Sequence, residues 1–227
     1  MLEQNTSVTL IYTAALEGRL ALLPKLFTRI RQERQPDHLS LLVDLGRSCA
    51  AETWICDATE GRGMLVAMDA MGYDAFHIGP LDALYTQPAL VQQIRQIIAT
   101  PLAAGPWLGK ATRKGLTFVM ANAAALTPRT EAADLTIGLR LSAEARLEVT
   151  ADPRQRILWL DGGMSTHTPL IGRVEMRLLI EPPFLEVTEH RLLDLTDDLL
   201  PDPTISGVIE FVESEARYAL KKRGGQQ

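Results

Sequence analysis

Apolar and polar positions alternate along the chain in two rhythms. Ser7–Thr13 (SVTLIYT) is short, apolar and β-branched, which predicts a buried strand. Leu20–Arg34 then places Leu22, Leu23, Leu26, Phe27 and Ile30 at helical spacing, with Arg29, Arg31 and Arg34 near its end, where the helix dipole favours cations. Gln35-Pro36-Asp37 breaks the chain, and a second strand, Leu39–Leu45, runs to Gly46. Met64–Met71 reads as a short helix closed by Gly72, and Ala75–Ile78 as a third strand leading into Gly79-Pro80. Pro88–Thr100 is a proline-initiated helix with Val91, Ile94, Ile97 and Ile98 facing inward.

Beyond Pro101 the rhythm shortens. Leu116–Met120, Leu135–Leu141, Arg146–Thr150, Ile157–Leu160, Val174–Ile180 and Phe184–Val187 are brief runs between turn residues and predict strands. Asp202-Pro203 supplies an N-cap and a first helical residue for a closing helix, whose apolar stripe is Ile205, Val208, Ile209, Val212 and Ala216. Strands alternating with helices place the chain in the α/β class. No repeat or low-complexity linker divides it, so residues 1–227 read as a single domain.

Composition narrows the functional classes. Of 227 residues 46% are hydrophobic and 22% charged, which suits a packed globule rather than a disordered chain. A net charge of -5 argues against a general nucleic-acid or anionic-membrane binder. Lys221, Lys222 and Arg223 read as a solvated basic tail over 216–227. Cys49 and Cys56 have six residues between them, which fits no common zinc spacing and no disulfide scaffold; both read as small buried residues. There is no apolar run long enough to span a membrane and no signal-like amino terminus, so the expected setting is cytoplasmic.

Several strand ends carry a recognisable order of motifs. Ala14-Ala15-Leu16-Glu17-Gly18-Arg19 follows the first strand, Val43-Asp44-Leu45-Gly46-Arg47 closes the second, and Met68-Asp69-Ala70-Met71-Gly72-Tyr73-Asp74 precedes the third. Gly79-Pro80-Leu81-Asp82, then Leu170-Ile171-Gly172-Arg173-Val174-Glu175 and Asp202-Pro203, complete the series. In this order they resemble the calcineurin-like metallophosphoesterase domain of the 5′-nucleotidase type. The likeness is best over 7–85 and 170–215, with the stretch between shortened. It implies a two-sheet α/β sandwich flanked by helices. In that family the first strand ends in Asn-Asp-Leu-His-Gly-Arg, the second in Leu-Asp-x-Gly-Asp, and the third leads to Gly-Asn-His-Glu. Two metal ions sit on the acids, the Asn and the histidines.

The departures from that pattern fall on the metal ligands. Ala15 stands for the first Asp, Glu17 for the His, Arg47 for the bridging Asp, and Pro80 and Leu81 for the Asn and His, with Asp82 next in line. Ala15, Pro80 and Leu81 offer no side-chain donor. A guanidinium has no lone pair to give and keeps its proton. At about 4 Å from a dication, with an effective dielectric of about 20, it would be repelled by roughly 8 kcal/mol. Three placements for Arg47 remain open: an internal ion pair with Glu17, with Asp44 or Asp82 as further candidate partners; solvent; or a planar fork holding a phosphate or carboxylate ligand.

The resemblance with these losses implies a catalytically inactive metallophosphoesterase-like protein with a binding, regulatory or assembly role and no cofactor, its partner a protein or a small anionic ligand. One alternative is a nucleotidase-like phosphohydrolase with a rearranged manganese or zinc site drawn from Glu17, Asp44, Asp82, His77 and His167. The other is a metal-free phosphate or nucleotide binder built on Arg47. His77 reads first as a strand-face histidine. His167 comes too late in the motif order for the family's histidine loop, and Ser165 beside it lacks an acid partner for a nucleophilic triad. Met64, Met68, Met71 and Met120 read as core, and Trp54 and Trp107 as loop residues able to line a groove.

Overall fold

In the computed structural model, residues 4–34, 38–79, 82, 87–105, 108–126, 133–142, 149–163 and 169–224 are described, and they form two sheets and five α-helices. The first sheet has the order β11-β10-β1-β2-β3-β4. Its strands are β1 (Thr6–Ala14), β2 (Leu39–Asp44), β3 (Ala75–Ile78), β4 (Leu102–Ala104), β10 (Leu170–Leu178) and β11 (Leu185–Leu192). β1 to β4 run parallel, while β10 joins β1 antiparallel and β11 joins β10 in the same manner. The second sheet, in the order β5-β6-β7-β9-β8, consists of β5 (Gly109–Arg113), β6 (Leu116–Asn122), β7 (Leu135–Ser142), β8 (Val149–Asp152) and β9 (Ile157–Gly163).

Both faces of the first sheet are covered, which is why β1 and β2 are almost wholly apolar runs instead of alternating ones. Val8, Leu10, Tyr12, Leu41 and Val43 point toward the second sheet and meet Phe118, Met120, Ile137, Leu158 and Leu160. Ile11, Leu42 and Phe76 point the other way, into the helices α1 (Leu23–Glu33), α2 (Trp54–Thr59), α3 (Arg62–Ala70), α4 (Pro88–Ile97) and α5 (Pro203–Gly224). From α5 the residues Ile205, Ile209, Val212 and Ala216 are buried, as the stripe predicts. Asp202 caps this helix: its Oδ1 accepts the backbone N–H groups of Thr204 at 3.0 Å and Ile205 at 3.1 Å. Met64, Met68, Met71 and Met120 are all core.

The Gly-Arg pair of β10 has a packing reason on each residue. A Cβ on Gly172 would overlap the Tyr12 ring on the neighbouring strand, whose hydroxyl shares a 2.8 Å hydrogen bond with His190 Nε2. Arg173 lies buried between Glu33 of α1 and Glu175. Glu33 also accepts Arg29 at 2.9 Å and Arg191 at 2.8 Å, so one carboxylate ties α1 to both antiparallel strands.

The α/β class and the two-sheet architecture match expectation, and several details differ. The Leu20–Arg34 run begins with a 3-10 turn over Leu20–Leu22 before α1. Ile97 is 59% exposed and Leu90 fills the inward position on α4 instead, because the helix turns its Leu90-Val91-Ile94 edge to the core. Lys221, Lys222 and Arg223 are the last turn of α5, not a tail; Arg223 Nη1 donates to the Asp57 carbonyl at 3.1 Å. β4, β5 and α2 are too short or too polar to carry a periodic signal. Trp54 opens α2 half exposed, and Trp107 and Arg146 lie outside the described residues.

Candidate functional site

The carboxyl ends of β1, β2 and β3 lie side by side, with Thr13 opposite Asp44 and Asp44 opposite Phe76. The loops that leave β1 and β2 continue in step for four residues. Ala15 N–H donates to the Gly46 carbonyl at 3.0 Å, Glu17 to Arg47 at 2.9 Å and Gly18 to Ser48 at 2.8 Å. Gly46, at φ +107°, passes so close beneath β3 that a Cβ would sit 3.0 Å from His77 Nδ1 and 3.2 Å from Asp82 Oδ2. Ala15, Glu17 and Arg47 also take left-handed φ values of 56°, 50° and 58°. Each costs about 1–2 kcal/mol in an L-residue, and the paired loops hold all three in place.

Arg47 and Glu17 form an ion pair through Nη2 and Oε1, with side chains only 19% and 11% exposed. Arg19 Nη2 approaches the other Glu17 oxygen at 3.5 Å. Of the placements open to Arg47 from sequence, the structure realises the internal pair with Glu17. Asp44 takes no part in it. It is fully buried, accepting the Thr13 hydroxyl at 2.7 Å on Oδ2 and the Gly46 N–H at 2.9 Å on Oδ1. Tyr73 Oη stands 3.0 Å from the same Thr13 hydroxyl. Burial holds the Asp44 carboxyl well above the usual carboxylate range, and the Asp82 charge adds to the rise; the Thr13 and Gly46 bonds oppose it.

Asp82 closes the floor of the site. Its Oδ2 accepts the Gly79 N–H at 2.8 Å, and its buried Oδ1 has no hydrogen-bond partner among the described residues. Burial raises its proton affinity too, opposed by the Arg47 and Gly79 backbone N–H groups and then by the His77 and Arg47 charges. His77 is a strand-face histidine, buried, with Nδ1–H donating to the Leu45 carbonyl at 2.8 Å and Nε2 at 2.6 Å from Asn122 Oδ1. Asn122 ends β6, so it is the second sheet's contribution to the site.

Cys49 and Cys56 are joined in a disulfide, which corrects their reading as separate buried residues. The spacing fits no zinc site, but a turn followed by the start of α2 folds the chain back on itself. Thr53 Oγ1 donates to the Ala50 carbonyl at 2.7 Å inside this turn, and α2 brings Cys56 round to Cys49. The bond fastens the loop that carries Arg47 to the base of α2.

The fold family implies a pair of metal ions at these strand ends, and the donor chemistry does not suit them. Ala15 lacks a donor, Arg47 brings a positive charge, Glu17 is engaged by two guanidinium groups, and both oxygens of Asp44 and both nitrogens of His77 have partners. Among the described residues at these strand ends, Asp82 Oδ1 alone is an unmatched buried acceptor, and one oxygen does not hold a dication. Among the described residues, no three of His, Cys, Asp and Glu converge. Pro80, Leu81, Ser165 and His167 lie outside the described residues.

Thr13, Tyr73 and Asn122 escaped the sequence reading. A signal for Asn122 existed, since it is a polar residue ending an apolar strand, as Asp44 does.

No protein-family model and no curated protein matches the sequence. Solved structures do match the fold. NAD nucleotidase (NadN) of Haemophilus influenzae superposes with a TM-score of 0.61 at 7% identity, over 95% of this chain and 61% of its own. The calcineurin-like phosphoesterase YfkN of Bacillus subtilis gives 0.59 at 10% identity, over 95% and 99%. Sulfate thiohydrolase SoxB of Thermus thermophilus gives 0.55 at 11%, over 99% and 62%. The chain therefore has the metallophosphoesterase fold, and it spans about three-fifths of the length of two of these three structures.

Proposed function

We propose that this chain is a metallophosphoesterase-fold protein that works without bound metal and without phosphoester hydrolysis, in a binding, regulatory or assembly role. The observation that carries the reading is the half-buried Glu17–Arg47 pair at the strand ends where the fold family keeps its bridging acid. An arginine there supplies internally the positive charge that a metal would otherwise bring, and Glu17 answers it. The loops are already tied together, so no cation is needed to neutralise them. Metal analysis of the purified chain after exposure to manganese and zinc, together with an aryl-phosphate assay, tests this. The expected outcome is substoichiometric metal and no turnover. Stoichiometric metal with turnover abolished by a chelator would refute it.

A rearranged single-metal phosphohydrolase is the second reading, favoured by the unmatched oxygen on Asp82. It requires His77 or Asp44 to give up present hydrogen bonds, with His167 as a further candidate ligand. An Asp82→Asn variant that retains full stability yet loses a manganese-induced thermal shift would support it over the first. The metal-free anion binder built on Arg47 is weakened by the guanidinium's engagement with Glu17. The Cys49–Cys56 bond also bears on compartment. Disulfides persist in oxidising environments, and this one supports residence there over the cytoplasmic setting expected from the cysteine count.

A further inference from the structure

The closing helix α5 is 22 residues long and packs on α1, α2 and α3 through the edge that carries Ile205, Ile209, Val212 and Ala216. At about 100° per residue, the opposite side of the helix holds Gly207, Phe211, Ser214, Tyr218 and Lys221, all exposed. These positions are spaced alternately by four residues and three, which is the seam of a two-helix coiled coil. Phe211 is 61% exposed and Tyr218 66%, two turns apart on the same side. Glycine weakens a helix interior, yet a Cβ on Gly207 would meet nothing within 4 Å among the described residues. Nothing within the chain therefore calls for the small residue there.

Charge is polarised along this face. Glu210 and Glu215 come first and Lys221 and Lys222 last, and none of these four side chains has a partner among the described residues. Their neighbours are engaged: Glu213 with Arg217 at 2.7 Å, and Arg223 with Glu60 at 3.4 Å. Reversing the helix thus sets acid over base, and the face is complementary to itself, as an isologous contact requires. A parallel pair would stack acids on acids. An anionic lipid surface would meet Glu210 and Glu215 beside the aromatic rings and be repelled.

We propose that this face of α5 binds a second copy of the chain, antiparallel, about a two-fold axis beside Ser214. That axis lays Phe211 of one copy against Tyr218 of the other, twice, and brings the two Ser214 side chains together where close approach is needed. Flanks of the same side meet in an antiparallel seam, so Glu210 of each copy reaches Lys221 of the other. Glu215 approaches its own equivalent on the other flank, which keeps the association modest. Single helices meeting over roughly four turns fall at the low end of specific interfaces, and a dissociation constant in the micromolar range is expected. Metal plays no part in the contact, so its failure and that of the metal-free reading are separable.

Sedimentation velocity of the full chain across roughly 1–500 µM should show a reversible monomer–dimer equilibrium. Phe211→Ala with Tyr218→Ala should weaken it at least about tenfold and leave the thermal transition of the dilute chain in place, because both rings are exposed in the monomer. Glu210→Lys should weaken it about fivefold, and adding Lys221→Glu should restore it, since the exchanged charges meet again across the axis. Ser214→Cys should give a covalent dimer on mild oxidation and Gly207→Cys should not. A chain that stays monomeric at the highest concentration, or that floats with anionic vesicles instead, overturns the proposal. So does a dimer indifferent to loss of the two rings, a charge exchange that restores nothing, or cross-linking at both cysteine positions, which a parallel pair would give.

Discussion

At the carboxyl ends of β1 to β3, charge is matched inside the protein: Glu17 takes Arg47 and Arg19, and the two deeper acids, Asp44 and Asp82, are pushed toward their neutral forms by burial. At the amino end of β2, Arg31 pairs with Asp202 and Arg113 with Asp74, two acids that already serve the backbone. The same sheet therefore carries one polar end whose charges pair within two adjoining, cross-linked loops, and another whose arginines pair with acids already committed to the backbone. In this fold the first end is where metal would sit. The contrast teaches that a polar cluster at a strand end is not by itself evidence of ligand binding. What matters is whether its charges balance without one.

The sharpest way to break the contrast is to strand a charge at the closed end. Glu17→Gln leaves Arg47 without its carboxylate and should cost about 3 kcal/mol, the lower end for a buried pair, since both side chains keep some exposure. In a chain of this length that is about 6–12 °C in Tm, read by calorimetry. Adding Arg47→Gln should recover part of the loss; strict additivity would show that the pair is not coupled. The disulfide comes next. Reduction, or Cys49→Ser with Cys56→Ser, should cost about 2.5 kcal/mol by loop entropy and increase protease access to the Arg47 loop before any change at the β5–β6 hairpin. Equal loosening at both ends would mean that the bond does not fasten the site in particular.

Asp44→Asn gives a pH test with a definite sign. A folded-state pKa raised above the unfolded value of about 3.9 means that the stability tied to this proton is fully present below about pH 4 and is lost as pH rises through the folded pKa. Asparagine can accept the Gly46 N–H on Oδ1 and donate from Nδ2 to Thr13 Oγ1, whose proton then turns to Tyr73 Oη, and it has no proton to lose. Its urea midpoint should lie within about 1 kcal/mol of the parent near pH 4, then overtake the parent as pH rises. A constant difference across that window would contradict the neutral form of the acid. The smallest effect is expected at the amino end of β2, where Lys114→Asn should change stability by no more than about 0.5 kcal/mol, because the side chain is exposed and Asn-Gly keeps the turn.

The fold was legible in the sequence where burial is two-sided or periodic. β1, β2, β3, α1 and α5 announce themselves because strands covered on both faces become unbroken apolar runs and helices must repeat near every fourth residue. Glu17 and Arg47 were legible because their motifs end neighbouring strands. Other features depend on distance folded out of the sequence. Asn122 meets His77 from 45 residues away, Lys114 meets the His38 carbonyl from 76, and the cysteine pair closes only because α2, six residues long, turns the chain there. Local patterning contains no term for such meetings.

The placement of β10 has a consequence for how the molecule comes into being. β1 is complete by Ala14, yet one of its two edges is paired only when Leu170–Leu178 arrives. On a ribosome that edge, with its row of unpaired amides, must wait until residues 15–169 have been made while β2 guards the other side. The parallel half of the sheet can take shape early. Closure of the architecture waits for residues 170–178, and a nascent chain stalled before β10 would present a sticky, half-finished sheet to chaperones.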